Sequence, residues 1–353
     1  MQKITVFVVA ESGSAKKGRE APLAPQVKSA PHYFAKSVPE QEIVAQEKLK
    51  IKGLPALPTG QAGGRQGVSG KIIVKTYHPY AVLATADVDV GDVFSEDILE
   101  LKDKVMEACY EAVEKQGGKR EFSEEYTVYQ VSDYHGDPEV FLERFAPKMA
   151  ALLKSEKLEL DEKEVEHTLS FQFKYAKDEL MVLDWDGAFL FDPTGEFGQA
   201  LELLELANYQ LLRYRILDRS LDDNLKLAYR LIQHESHKWF RIKKVNEAFK
   251  EVIRIRSHSI AHFDAVERDV KLIGDWYSAR VFDLLSKKFR LQTWRANIKE
   301  KLESLEDIYS IVSENLGVSR MQTLESIQTA GWFILQIGWF VLIILEFMYF
   351  TKK

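Results

Sequence analysis

The chain has 353 residues, with 48 Lys and Arg against 54 Asp and Glu and a formal net charge of −6. A general nucleic-acid binder carries a basic excess, so that class is set aside and no nucleic-acid partner is expected. Charged residues at 29% describe a polar body rather than a polytopic transporter, and the single cysteine, Cys109, builds neither an internal disulfide nor a cysteine-rich metal site.

Ile4 to Ala10 is a β-rich apolar run, read as an N-terminal strand over residues 1–10. It sits at the lower length limit of a secretion-signal core, so no cleaved signal is expected. Residues 11–70 hold six of the ten prolines (Pro22, Pro25, Pro31, Pro39, Pro55 and Pro58), together with Gly53, Gly60, Gly63, Gly64, Gly67 and Gly70. Such a stretch resists packing and reads as a loop or insertion between two strands, with room for a short helix from Glu40 to Lys50.

Residues 71–193 read as an α+β domain. Strands are expected at Ile72 to Tyr77, Ala81 to Val90 and Tyr126 to Val131. Between the last two, Ser95 caps a helix with apolar Ile98, Leu101, Val105, Cys109 and Ala112, ended by Gly117-Gly118. Gly136-Asp137-Pro138 opens a second helix towards Leu153, bent at Pro147. Leu169, Phe171, Phe173 and Tyr175 alternate with polar residues, which predicts a half-buried strand over His167 to Tyr175. Leu180 to Leu183 and Ala188 to Phe191 form a hairpin closed by Asp186-Gly187.

No proline follows residue 193. Residues 194–325 read as three long, antiparallel, coiled-coil-like helices. The first carries Leu201, Leu204, Ala207, Leu211, Tyr214, Leu217, Leu221 and Leu225; the second keeps a heptad seam from Ile242 through Phe263 to Tyr277; the third runs from Ile298 to Leu316. Gly317 marks a slip in register, read as a hinge, before the seam resumes at Leu324. Residues 326–351 are then a transmembrane helix: Ser326 to Leu345 holds no charge, and Ala330 to Phe350 spans roughly 30 Å, a bilayer's hydrocarbon thickness. The bilayer is thus an expected partner. Arg320 lies on the near side and Lys352 and Lys353 on the far side, so the positive-inside rule does not decide orientation. The lack of a signal favours a cytoplasmic body.

Gly64 to Lys71 fails the phosphate-loop spacing, because Arg65 stands where Gly is needed. His258 and His262 share a helical face in metal-compatible geometry, and His234 and His237 form another close pair, but neither a third ligand nor the Glu of a zinc-protease motif accompanies His258 and His262, and flank hydrogen bonding is the simpler reading. Asp184 and Asp186 at the hairpin read as solvent-facing turn carboxylates. No pattern calls for a cofactor or a catalytic residue. Arg256 and Ser259 interrupt the stalk seam, either fixing register or partner number, or with the arginine reaching outward from a monomeric hairpin. In the tail, Gly331 and Gly338 share a face, Gln336 lies near mid-membrane and Glu346 near its end, a set suited to self-association.

Two stretches carry a resemblance: LELLELANYQLLRYRILDRSLDD (Leu201 to Asp223) after a strand hairpin, and Leu324-Glu325 leading into IQTAGWFILQIGWFVLIILE, which closes at Glu346. The order is similar to that of membrane proteins related to yeast "required for meiotic nuclear division" proteins. That resemblance implies a scaffold or tether, in eukaryotes at the mitochondrial inner membrane in support of organelle translation, with no catalytic residues to carry over. The layout also resembles CorA-type magnesium channels, which need two membrane helices joined by Gly-Met-Asn; here Gly317-Val318-Ser319 precedes a single one. The expectation is an α+β head, a helical stalk and one C-terminal anchor, non-enzymatic, homo-oligomeric and bound to a protein partner. The alternatives are an oligomeric transport component and an enzyme in the head without a recognisable motif.

Overall fold

The computed structural model describes residues 2–12, 41–50, 69–77, 81–235, 250–251, 253–261, 263–264 and 276–351. Eight strands form one sheet in the order β2-β3-β4-β1-β5-β8-β7-β6. They are β1 (Gln2–Ser12), β2 (Gln41–Lys50), β3 (Ser69–Tyr77), β4 (Ala81–Val90), β5 (Gly118–Val131), β6 (Gln172–Phe173), β7 (Leu180–Leu183) and β8 (Gly187–Phe191). The helices are α1 (Ile98–Lys115), α2 (Glu139–Leu153), α3 (Glu162–Thr168), α4 (Gly198–Glu235), α5 (residues 253–261), α6 (Trp276–Lys288) and α7 (Leu291–Thr351).

β1 pairs antiparallel with β4 on one edge and β5 on the other. Every residue from Ile4 to Ala10 is buried, so both faces are covered and the run reads as continuously apolar rather than alternating. β4 and β5 therefore run parallel, joined by the α1 crossover, and β8 adds parallel to β5. On one face α1 lays down Ile98, Leu101, Val105, Cys109 and Val113 against Ile4, Val6 and Val8, and α2 adds Met149, Leu152 and Leu153. On the other face α4 covers the sheet: Tyr77 stacks on Tyr209 at 4.7 Å, and Glu205 accepts from Thr85 Oγ1 at 2.9 Å and Lys75 Nζ at 2.8 Å.

The chain forms two compact units. The first is Met1–Arg219 with His262–Ile298, and the second is Ser220–Ala261 with Lys299–Lys353. In the second, the end of α4, α5 and α7 bury Leu221, Ala228, Ile255, Leu305 and Ile308. Polar clips join the same helices: Lys301 to Asp222 at 2.7 Å, Arg256 to Glu306 at 2.9 Å, and Asn224 Nδ2 to Ser259 Oγ at 3.5 Å.

The structure corrects the sequence reading at several places. Residues 41–50 are a strand on β3, with a bulge between Ile43 and Ala45, not a helix. The strand expected from His167 to Tyr175 is helix α3 followed by the two-residue β6. Asp161 accepts from Lys163 N at 3.0 Å and Glu162 and Glu164 fill the first turn, a helix-start signal that outweighs the alternation after it. Tyr277, expected on the stalk seam, begins α6 in the first unit and packs 5.5 Å from Phe173. Gly187 is held to glycine by proximity rather than by turn geometry, since an added Cβ would stand 2.8 Å from the Thr127 carbonyl oxygen. The insertion's remaining residues, 13–40 and 51–68, and the second long helix over residues 265–275 lie outside the described residues.

The β5–β8 spacing yields a test. Gly187→Ala should force the two strands apart and destabilise the first unit by about 1–3 kcal/mol, read as a lowered denaturant midpoint in near-ultraviolet circular dichroism. An unchanged midpoint would show that the strands part freely.

Candidate functional site

Because β4, β5 and β8 run the same way, their carboxyl ends deliver three loops to one edge of the sheet. In parallel arrangements this edge is where ligands are received. The loops are shaped by left-handed residues, Asp133 (φ 58°), Gly136 (φ 93°) and Gly195 (φ 77°). They are tied together by Asp133 N donating to the Pro193 carbonyl at 3.2 Å and Asp192 N to the Val131 carbonyl at 3.1 Å.

A cleft of about 430 Å³ opens at this edge, walled by Gln2, Asp89, Ser132, Asp133, Tyr134 and Phe141. Gln2 Oε1 accepts from Val93 N at 2.5 Å, anchoring the start of β1 to the loop after β4. Tyr134 meets Phe141 edge-on at 5.5 Å and donates its hydroxyl to the Asp178 carbonyl. Burial first, then the charges of Asp192, Asp178, Glu179 and Asp137, push the Tyr134 phenol well above its ordinary range. Carboxylates thus dominate the local field.

Beside it lies an aromatic ridge. Tyr175 and Trp276 are each 60% exposed, with ring centres 5.9 Å apart. Tyr277 sits 5.5 Å from Tyr175, and the Arg280 guanidinium lies 4.8 Å from the Trp276 ring and 5.5 Å from that of Phe173. Next to the ridge is a dimple of about 40 Å³ whose polar wall is Glu179, Asp192 and Glu196.

At the β7–β8 turn one of the two carboxylates, Asp184, does not face water as the hairpin position suggested. Asp184 is 4% exposed and grips Lys288 of α6 at 2.5 Å, with Lys154 at 3.7 Å. Tyr126 OH donates to the Asp184 and Gly187 carbonyls at 3.0 and 2.8 Å, so the turn is pinned from beneath. Asp186 remains exposed. The Asp184–Lys288 pair is structural: it ties the end of α6 to the hairpin, where a basic side chain also suits the helix terminus.

The residues singled out from sequence are scattered. His258 is exposed on α5, and His262 lies outside the described residues. Among the described residues no three His, Cys, Asp or Glu side chains gather as a metal site would require. Arg256 pairs with Glu306 and lies 5.3 Å from the Tyr309 ring, and Ser259 is buried against Asn224, so both serve packing within the chain. Gly317 lies inside α7, which is helical throughout. Gly331, Gln336, Gly338 and Glu346 are exposed, and the two glycines have open space around them. Leu324–Met348 is long and apolar enough to cross a membrane and is covered by nothing in the chain. The ridge was missed in sequence because Tyr277 fitted a heptad. The usable signal was Trp276, Tyr277 and Arg280 within one helical turn.

A family model described as "Uncharacterized protein MJ0711, N-terminal domain" matches residues 67–197, which carry β3 to β8 and all three edge loops but not Trp276. The chain is also similar to a protein of Methanocaldococcus jannaschii named "Uncharacterized protein MJ0711". They share 29% identity over 250 residues, covering 70% of this chain and 75% of that one. No solved structure matches. The similarity extends well past the sheet, and the printed names supply no activity.

Away from this edge, Glu124 of β5 pairs with Arg215 of α4. Burial outweighs the guanidinium, and Asp186 and Glu125 add to it, so the carboxyl is pushed from 4.5 up to about 7. The fold therefore favours the neutral acid: its stabilisation is complete below pH 4.5 and is lost as pH rises through about 7. Unfolding free energy should fall by at most about 3 kcal/mol across that window. Glu124→Gln should flatten the slope in urea titrations at stepped pH; an equal slope in the variant would remove Glu124 from the account.

Proposed function

We propose that the protein is a membrane-anchored tether that presents its α+β head to a protein partner and assembles with copies of itself through the tail. One observation carries the reading: α7 is a single helix of 61 residues, and its Leu324–Met348 span has no cover within the chain. An uncovered apolar span of 25 residues is unstable in water but matches a bilayer's hydrocarbon core. The edge of the head supports recognition: its loops bring together aromatic rings and carboxylates around a cleft and a small dimple. The body lies in the cytoplasm, and the tail inserts after synthesis.

Within the bilayer Gln336 needs a hydrogen-bonding partner, and Gly331 and Gly338 let a second helix approach. The coiled-coil-like stalk then serves as a spacer built within one chain.

Alkaline carbonate extraction tests the anchor: the full chain should stay with membranes, whereas a chain ending at Leu316 should be released. Release of both would end the membrane reading. For self-association, Gln336→Leu with Gly331→Leu and Gly338→Leu should weaken tail crosslinking by about 1–2 kcal/mol, roughly 5- to 30-fold in the equilibrium. Unchanged crosslinking would place the contact elsewhere, and a closed ring by mass would favour a channel over a tether.

A further inference from the structure

Given the tether reading, the head needs a place for its partner, and the aromatic ridge has the makeup of one. Trp, Tyr and Arg are the residues that most often anchor protein contacts. Here Trp276 and Tyr175 stand 60% exposed, yet the indole is not loose, because Arg280 is layered between it and Phe173. A side chain already held in place loses little entropy when a partner lands on it.

The geometry narrows the partner. The adjoining dimple, about 40 Å³, is far below the roughly 300–1,000 Å³ that encloses a small molecule, and is on the scale of one side chain. β6 has only two residues, too few to template an added strand. What remains is a row of rings about 5.5–5.9 Å apart, a surface for flat, apolar pyrrolidine rings. Proline-rich segments hold an extended helix without internal hydrogen bonds and so dock on such rings at small ordering cost.

Charge supplies the second specification. Glu179, Asp192 and Glu196 line the dimple, and no Lys or Arg among the described residues forms an ion pair with any of them. Glu179 is already pushed up in pKa by burial and by Asp192 and Asp178, so a cation placed there relieves existing repulsion. We propose that the ridge formed by Tyr175, Trp276, Tyr277 and Arg280, backed by the buried Phe173, binds an extended proline-rich segment of a partner protein, with a Lys or Arg of that segment seated against Glu179, Asp192 and Glu196.

The test uses the full chain in detergent micelles and a fluorescein-labelled Pro-x-x-Pro peptide bearing one Arg, followed by fluorescence anisotropy. Saturable binding is expected, weakened about tenfold or more by Trp276→Ala. Glu179→Gln should weaken the Arg peptide severalfold while leaving a version with Gln in place of Arg unchanged. Absence of saturable binding, or equal binding by Trp276→Ala with an unchanged unfolding midpoint, overturns the proposal. If the wild type self-associates by sedimentation and Trp276→Ala does not, the ridge belongs to a second copy and the proposal also falls. Failure of the tether reading appears separately, as release from membranes in carbonate with peptide binding intact.

Discussion

The structure depends on the double pairing of β1. Seven consecutive buried residues, Ile4 to Ala10, oblige the backbone to find hydrogen bonds on both edges, since an unpaired buried amide costs several times what a made bond contributes. β4 and β5 supply them, and because both run against β1 they run with each other. A parallel pair needs a crossover, which is α1, and both faces of β1 need cover, which α1 provides on one side and α4 on the other. The acidic, aromatic edge follows from the same fact: strands that run together end together, so their loops meet. The sheet's own edges are closed to other strands by the bulged, charged β2 and the two-residue β6.

α4 shows how that cover is made specific. From Leu203 to Tyr214 every residue is buried, including Glu205, Asn208, Gln210 and Arg213. A wholly apolar helix would bury as well and slide more easily. Glu205, held by Lys75 of β3 and Thr85 of β4, sets the axial position, and Arg213 Nη1, donating to Tyr209 OH at 3.0 Å within the same helix, steadies the ring that stacks on Tyr77. Buried ion pairs contribute little net stability and much to register. The cost shows in neighbouring groups: burial and the charges of Glu205, Tyr209 and Glu202 push the Tyr77 phenol well above its ordinary range.

Much of this head was legible in the chain. β1, β3, β4, α1 and the β7–β8 hairpin follow from composition and period because each is decided by local burial. β2 and α3 were not, for opposite reasons. Glu42, Gln46, Glu47 and Lys48 give residues 41–50 a helical composition that pairing with β3 overrides, whereas in α3 a local cap defeats an alternation that no neighbouring strand rewards. Asp184 was illegible because the cation that buries it, Lys288, lies over a hundred residues away. The aromatic ridge was hidden for a related reason. Heptad spacing states which residues share a face but not what that face meets, so Tyr277 fitted a stalk it does not join.

The second unit sharpens the same lesson for assembly. Arg256 and Ser259 interrupt a seam, and a polar seam position is compatible with several copies around an axis or with packing inside one chain. Within one chain, Arg256 pairs with Glu306 and lies by the Tyr309 ring, Ser259 meets Asn224, and Lys301 meets Asp222. Leu221, Ile255, Leu305 and Ile308 are buried among these helices, while Leu227, Tyr229 and Ile253 stay exposed. The largest exposed apolar stretch among the described residues of this unit is the Leu324–Met348 span. In the tether proposed above, lipid takes the place of water there and apolar burial no longer drives association. The self-association proposed above rests on close approach at Gly331 and Gly338 and on the hydrogen-bonding need of Gln336.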